Sequence, residues 1–132
     1  MLLFVADAQV GNWLSWEKLS WRVPDEDGTM VKVTSADLLK RTVLYKVGYH
    51  GSHNATLREK GLELMTSPEL AAMIPVDQRT AEQKKWNMPF PPLYRALQEK
   101  TAGRILRADQ PSSGKRVTQK PNGLYVDYVV SG

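Results

Sequence analysis

Short apolar runs alternate along this chain with stretches whose apolar residues have helical spacing. Four runs have the length and composition of buried strands, at residues 2–6, 42–47, 70–76 and 104–108. The run at 2–6 is apolar without alternation, which is typical of a strand covered on both faces, so we expect a central strand there. Pro75 lacks a backbone donor and therefore indicates either an edge strand or a strand end near Asp77.

The stretches between these runs carry helix signals. Trp13, Trp16 and Leu19 follow one another at a spacing of three residues, which predicts a short helix within 10–21 that packs its tryptophans, Trp21 included, in the core. Ser35 is suited to cap a helix over 36–41, with Asp37 in its first turn.

Two further helices are predicted after the second run. The Thr56-x-x-Glu59 spacing is that of a capping box and predicts a helix that reaches Met65. Pro91 and Pro92 suit the start of a helix that runs to Lys100, with Gly103 as its stop, whereas residues 24–28 and 78–92 are predicted to be polar loops.

The chain ends in a predicted β-hairpin, formed by residues 116–119 and 124–130 around the turn sequence Asn122-Gly123. Together these elements predict a single α/β domain over residues 1–132, a layered sheet with helices on one face. The apolar strands leave the second sheet face uncovered, so a missing segment, a second copy of the chain or another chain is expected to cover it.

Composition narrows the class of protein. The 132 residues are 42% hydrophobic and 24% charged, which is ordinary for a globular domain. No cysteine is present, so disulfides and thiolate zinc sites are excluded. Because we identify no membrane-spanning or signal-like segment in the sequence, we expect a cytoplasmic protein. The formal charge of +4 is scattered, which favours a solvated basic surface over nucleic-acid binding; the weaker nucleic-acid alternative would use Lys84, Lys85, Lys115, Arg116 and Lys120.

Candidate chemistry lies where two of the predicted strands end. Asp7 follows the first run and His50 follows the second, at positions where α/β proteins often place functional groups. A zinc site usually needs three or four protein ligands. The chain has two histidines and no cysteine, so Asp7 and His50 can form only part of such a site. Asp77 and Asp109 also follow strands and are weaker candidates for site residues at the same sheet edge. Each of the candidate side chains has a plainer role as a helix or turn cap.

Two segments carry a family resemblance: Leu-Leu-Phe-Val-Ala-Asp-Ala-Gln-Val-Gly-Asn-Trp, and then Tyr-Lys-Val-Gly-Tyr-His-Gly-Ser-His-Asn-Ala-Thr. Their order and spacing resemble the C-terminal half of metallo-β-lactamase-fold hydrolases, particularly the group related to competence-protein hydrolase domains. The resemblance implies half of an αββα sandwich, with Asp7 as a carboxylate bridging two metal ions and His50 as an imidazole ligand. Zinc or another divalent metal is the implied cofactor, and Ser52, His53 and Asn54 would orient the ligand or shape its loop.

The chain departs from that family pattern at several points. The His-x-His-x-Asp-His motif of the N-terminal half is absent, Ala6 replaces the usual glycine, and Tyr49 replaces the first histidine of the pair. If that first histidine is the family's ligand, His50 is only its neighbour. We therefore expect the C-terminal portion of a metal-dependent hydrolase, weakly active or inactive without an N-terminal half or partner chain. The alternative is a non-catalytic interaction domain that self-associates or binds a partner through the uncovered sheet face.

Overall fold

A computed structural model describes residues 1–120, 123 and 125–130 of the chain, and these form a mixed α/β fold. In chain order the elements are β1 (Leu2–Phe4), α1 (Val10–Trp16), β2 (Ser20–Pro24), β3 (Met30–Thr34), α2 (Ser35–Lys40), β4 (Leu44–Lys46), β5 (Ala71–Ile74), α3 (Gln78–Gln83), α4 (Pro91–Lys100), β6 (Ile105–Arg107), β7 (Val117–Gln119) and β8 (Val126–Tyr128). Short 3₁₀ turns occur at Tyr49–Gly51 and Leu62–Leu64. The α/β class and the four strands predicted from the apolar runs are confirmed.

The main sheet has four parallel strands in the order β1-β4-β5-β6. Its register aligns Phe4 with Lys46 and Lys46 with Met73, so the strands end at one edge, where their following loops gather. The prediction that β1 is central is wrong, because β1 is an edge strand. Leu2 and Phe4 remain 50% and 60% exposed, so an apolar run alone did not distinguish a covered strand from one whose second face is open.

Helices α1, α2 and α4 pack on one face of this sheet. Trp13 of α1, Leu39 of α2 and Leu97 of α4 join one buried cluster with Tyr45 and Ala72, which point to the same face of neighbouring strands. The indole of Trp13 donates from Nε1 to the carbonyl oxygen of Ala55 over 3.0 Å. The predicted packing of Trp13 is confirmed, and Trp16 packs against the same cluster.

The second face of the sheet is covered only in part. Phe4, Lys46 and Met73 share this face by the strand register. The antiparallel β7–β8 hairpin lies over another part of this face. Tyr125 and Val126 line a crevice of about 300 Å³ together with Lys46 and Met73. The C-terminal hairpin is thus confirmed, although Pro121 and Asn122 of its predicted turn and Leu124 of its predicted second strand lie outside the described residues.

A second hairpin replaces the end of the predicted tryptophan helix. α1 stops at Trp16, and β2 then pairs antiparallel with β3 around a turn in which Asp25 Oδ1 accepts from the backbone N–H of Thr29 over 2.8 Å. Trp21 lies on this hairpin and is 42% exposed, so the prediction that it belongs to the core is wrong. Trp21 pairs with Val33 on the neighbouring strand. A helical spacing pattern cannot reveal such a pairing.

The helix predicted from Thr56 to Met65 is not formed. The Thr56 hydroxyl instead lies 2.7 Å from the buried Tyr45 hydroxyl, so it is not available as a helix cap, and the segment contains only turns and the 3₁₀ turn at Leu62–Leu64. Tertiary hydrogen bonding has therefore overridden a local capping signal.

The remaining helices agree with the sequence more closely. α4 begins at Pro91 and ends before a glycine, Gly103, whose φ is +80°, as predicted. α2 begins one residue earlier than predicted because Thr34, rather than Ser35, caps it by accepting from the Asp37 N–H over 3.2 Å. Residues 78–92 are not all loop, since α3 begins there.

Within the described part of the chain, no helix is long and apolar enough to cross a membrane.

Candidate functional site

The loops after β1 and β4 approach each other closely at the carboxyl edge of the sheet. The backbone N–H of Tyr49 donates to the carbonyl oxygen of Ala6 over 3.1 Å. A Cβ atom on Gly48 would lie 2.7 Å from that same oxygen and 2.8 Å from Val5 Cγ2, so only glycine fits without displacing a loop. The structure therefore places Asp7 and His50 in two adjoining loops.

Asp7 lies exposed in the first of these loops. Its turn is closed by a 2.9 Å hydrogen bond from the Ala8 N–H to the Val5 carbonyl oxygen, with Ala6 at a φ of +46°. The following helix is capped by Gln9 and not by Asp7, and the Asp7 carboxylate accepts no hydrogen bond from a described residue. The plainer role of Asp7 as a cap is thus not observed.

His50 is anchored at one ring nitrogen. Its Nδ1 atom lies 2.7 Å from the carbonyl oxygen of Pro75, which can only accept a hydrogen bond, so Nδ1 carries the proton. In the neutral ring, Nε2 then holds the lone pair, as a metal-binding or proton-accepting imidazole requires. Tyr49 and His50 both have positive φ, +42° and +54°, which is uncommon for residues other than glycine and is often associated with functional loops.

The next polar residues join the two loops rather than holding the His50 ring. Ser52 Oγ donates to Asn54 Oδ1 over 2.7 Å, and Asn54 Nδ2 donates to Gln9 Oε1 over 3.1 Å. His53 instead packs edge-on against Phe90, with ring centroids 6.1 Å apart. Ser52 and Asn54 therefore shape the loop pair, and His53 contacts the segment before α4.

His50 also faces a cavity of about 770 Å³ at the ends of β5 and β6. Asp77 and Asp109 line it as well, so these weaker candidates do reach the same sheet edge, whereas Asp7 is not among the lining residues. In the described ranges, no three His, Asp or Glu side chains are grouped closely enough to hold a metal ion. The edge of the sheet thus gathers four candidate side chains without forming a complete metal centre.

Both cavity carboxylates already have structural partners. Asp77 caps α3, because its two oxygens accept from the N–H and the hydroxyl of Thr80 at 3.1 and 3.0 Å. Asp109 receives two hydrogen bonds from the buried Arg107, from Nε at 2.9 Å and Nη2 at 2.7 Å. This ion pair lowers the pKa of Asp109 below its usual value, and a 2.8 Å hydrogen bond from the Gln78 N–H adds to the effect.

The phenol of Tyr45 is the buried titratable group beneath the His50 loop. It is fully buried, and desolvation raises its pKa to about 12, although the hydrogen bond with Thr56 opposes that rise. Its ring meets Trp13 edge-on at 6.1 Å between centroids. Tyr45 thus acts as a neutral packing residue that fixes β4 just before the His50 loop.

Sequence reasoning missed two aromatic residues of the cavity. Trp86 is 53% exposed and Tyr49 is 37% exposed, and both line the cavity. The available signal was an aromatic residue within a polar run, Lys84-Lys85-Trp86. The prediction of a polar loop over 78–92 gave this tryptophan no separate role.

Comparison with known proteins adds no assignment: no family model, no curated protein and no solved structure matches this chain.

Proposed function

We propose that this chain is the C-terminal part of a metal-dependent hydrolase of metallo-β-lactamase fold and contributes Asp7 and His50 to a shared metal site. The observation that carries the proposal is the pairing of the two loops at the ends of adjacent parallel strands. One loop presents a carboxylate that accepts no hydrogen bond from a described residue, and the other presents an imidazole with its Nε2 lone pair available.

Each residue has a defined task in this proposal. The Asp7 carboxylate would hold a metal ion and neutralise part of its charge, while the Pro75 carbonyl fixes the His50 ring and makes its Nε2 a better donor. Zinc or another divalent metal, when bound, would supply an activated water and polarise the scissile group of the substrate. Because two ligands do not complete a site, the others come from an N-terminal half or a partner chain.

The way the two loops are joined explains why this half-site is weak. The backbone N–H of Tyr49 donates to the carbonyl oxygen of Ala6, so Tyr49, rather than His50, is the residue that joins the second loop to the loop of Asp7. The imidazole at position 50 is instead anchored toward the end of β5. Tyr49 and His50 both line the cavity and Asp7 does not, which leaves the two proposed ligands less favourably arranged.

Zinc titration by calorimetry tests the proposal with three variants. The wild-type chain should bind zinc weakly, with a Kd above roughly 10 µM, and Tyr49→His should bind about tenfold more tightly because it adds a third candidate ligand to the joined loops. Tyr49→Phe is the control for loss of the phenol, and the gain should disappear in the double variant Tyr49→His with Asp7→Asn.

Two outcomes would overturn it. Tight binding of two zinc ions by the wild-type chain would mean that the site is complete without further ligands. An unchanged affinity in Tyr49→His would mean that position 49 and Asp7 do not face a common metal.

The second candidate is a non-catalytic interaction domain that uses the uncovered face of β1. The exposure of Phe4 and Leu2 on the edge strand favours it, since large apolar side chains on an open strand commonly mark an interface. Light scattering discriminates: this candidate requires self-association that Phe4→Lys abolishes, and a monodisperse wild-type monomer counts against self-association.

A further inference from the structure

The 770 Å³ cavity beside His50 has the character of a small-molecule site in its own right. Its volume falls within the range of about 300–1,000 Å³ that is usual for ligand pockets. Apolar side chains form its walls, and the exposed rings of Trp86 and Tyr49 add two aromatic surfaces. The lining apolar residues are Pro75, Val76, Ala81, Met88 and Ala108.

Backbone hydrogen bonds hold the aromatic wall in place. The N–H of Trp86 donates to the carbonyl oxygen of Ala81 over 2.8 Å, which ties the tryptophan to the end of α3. The N–H of Phe90 donates to the carbonyl oxygen of Gly51 over 2.8 Å, which fastens the same segment to the His50 loop. The cavity is therefore bounded by anchored backbone on both sides.

The polar groups of the cavity are mainly hydrogen-bond acceptors. Neutral His50 offers the lone pair of Nε2, since its Nδ1 proton is held by Pro75. Each carboxylate oxygen of Asp77 accepts one hydrogen bond from Thr80 and retains a second lone pair. The described lining residues include no lysine and no arginine, and the nearby Arg107 is already engaged by Asp109.

We propose that this cavity binds a small aromatic amine, with its ring against Trp86 and its ammonium group at Asp77 and His50. The aromatic walls favour a planar ring, which can stack on the indole of Trp86, while the carboxylate of Asp77 favours a cationic group. The acceptors require a donor, and the absence of a lining cation disfavours a carboxylate or phosphate. This inference uses the same Nε2 atom of His50 as the proposed metal site but requires no bound metal.

The test compares tryptamine with indole-3-acetate, which carry the same ring and opposite charges, in the presence of a chelator. NMR titration of the full chain should show tryptamine shifting the amide signals of residues 76–77 and 86–88, with indole-3-acetate binding at least about tenfold more weakly. Because the chelator removes divalent metal, a negative result here is separate from a failure of the metal-site proposal.

Two variants localise the binding. Trp86→Ala removes the ring on which the ligand's ring stacks and should weaken tryptamine binding about tenfold. Asp77→Asn should weaken it by a similar factor while it keeps the α3 cap, because asparagine is also a good N-cap. Trp21→Ala, on the β2–β3 hairpin, is the matched control and should leave binding unchanged.

The proposal is overturned if indole-3-acetate binds as tightly as tryptamine, if neither ligand binds, or if the shifted signals lie outside the cavity. Equal weakening by Trp21→Ala and Trp86→Ala would also overturn it, since only the second ring lines the cavity.

Discussion

The Nδ1 atom of His50 lies 2.7 Å from the carbonyl oxygen of Pro75, the residue that follows β5. This hydrogen bond connects the loops of two adjacent strands and fixes which nitrogen of the ring carries the proton. It also turns the imidazole toward the cavity that Asp77 and Asp109 line. The ring is thus oriented by the backbone of a neighbouring strand rather than by its own loop.

The tautomer of His50 is directly measurable. We expect the neutral ring to show a protonated Nδ1 and an unprotonated Nε2 in ¹⁵N NMR spectra, because the Pro75 carbonyl stabilises that form. His53 is the internal control, since its ring has no hydrogen bond to a described residue and should show the Nε2-protonated form that exposed histidines favour. A protonated Nε2 at His50 would contradict the hydrogen bond.

Gly48 should tolerate no side chain. Gly48→Ala places a Cβ 2.7 Å from the Ala6 carbonyl oxygen, so we expect the free energy of unfolding to fall by about 1–3 kcal/mol. Gly11→Ala is the matched control, because Gly11 lies in α1 with nothing within 4 Å of its added Cβ, and it should stabilise by up to about 1 kcal/mol. Urea denaturation measures both, and a neutral Gly48→Ala would show that the two loops do not approach as described.

Trp13 is the aromatic residue on which the core depends. Trp13→Ala removes a fully buried indole and its hydrogen bond to Ala55, so unfolding should become easier by about 3–5 kcal/mol. Trp86→Ala removes a half-exposed ring and should change stability by less than about 1 kcal/mol. Thermal denaturation of the two variants gives the comparison, and equal losses would argue against the assigned core.

The ion pair between Arg107 and Asp109 predicts a pH-dependent stability. Asp109→Asn should cost about 2 kcal/mol at neutral pH, because a hydrogen bond to a charged group contributes roughly 1.5–3 kcal/mol. The folded-state pKa of Asp109 is lowered, so its contribution is fully present above the unfolded value of about 3.9 and is lost as the pH falls through the lower folded value.

The deficit of Asp109→Asn should therefore shrink in acid, which denaturant titrations at several pH values can follow. Asp27→Asn provides the control, since Asp27 lies in the exposed turn between β2 and β3 and its carboxylate has no ion pair with a described residue. A deficit of constant size from pH 7 down to about 2.5 would contradict the ionic character of the pair.

Strand positions and the α4 boundaries were readable from sequence because they depend on local patterns. The apolar runs mark β1, β4, β5 and β6, and proline with glycine marks the ends of α4. The failed helix at Thr56 shows the limit of such signals, because its hydroxyl bonds Tyr45, a residue 11 positions away. The β2–β3 hairpin was missed because tryptophans spaced by three residues mask the strand that follows them.

The candidate site was only partly predictable for a similar reason. Parallel strands imply that the residues that follow them, Asp7 and His50, lie at the same edge of the sheet. The adjoining loops agree with that expectation. The direction of the His50 ring depends on a hydrogen bond to Pro75, which is 25 residues away in the chain. The contribution of Trp86 depends on how residues 86–90 fold back to Gly51, and no local pattern encodes that contact.

The central proposal is that the loops of Asp7 and His50 form one half of a metal site. Paramagnetic broadening of backbone amide signals by Mn²⁺ tests it most directly, because broadening reports the position of even a weakly bound ion. The matched variants are Asp7→Asn and His50→Gln, with Asp27→Asn and His53→Gln as controls for an exposed carboxylate and an exposed imidazole.

We predict broadening centred on residues 6–8 and 48–51, reduced in Asp7→Asn and His50→Gln and unchanged in the two controls. Broadening centred on the Asp25–Gly28 turn instead, or broadening that neither Asp7→Asn nor His50→Gln alters, would contradict the claim that these two loops share a metal.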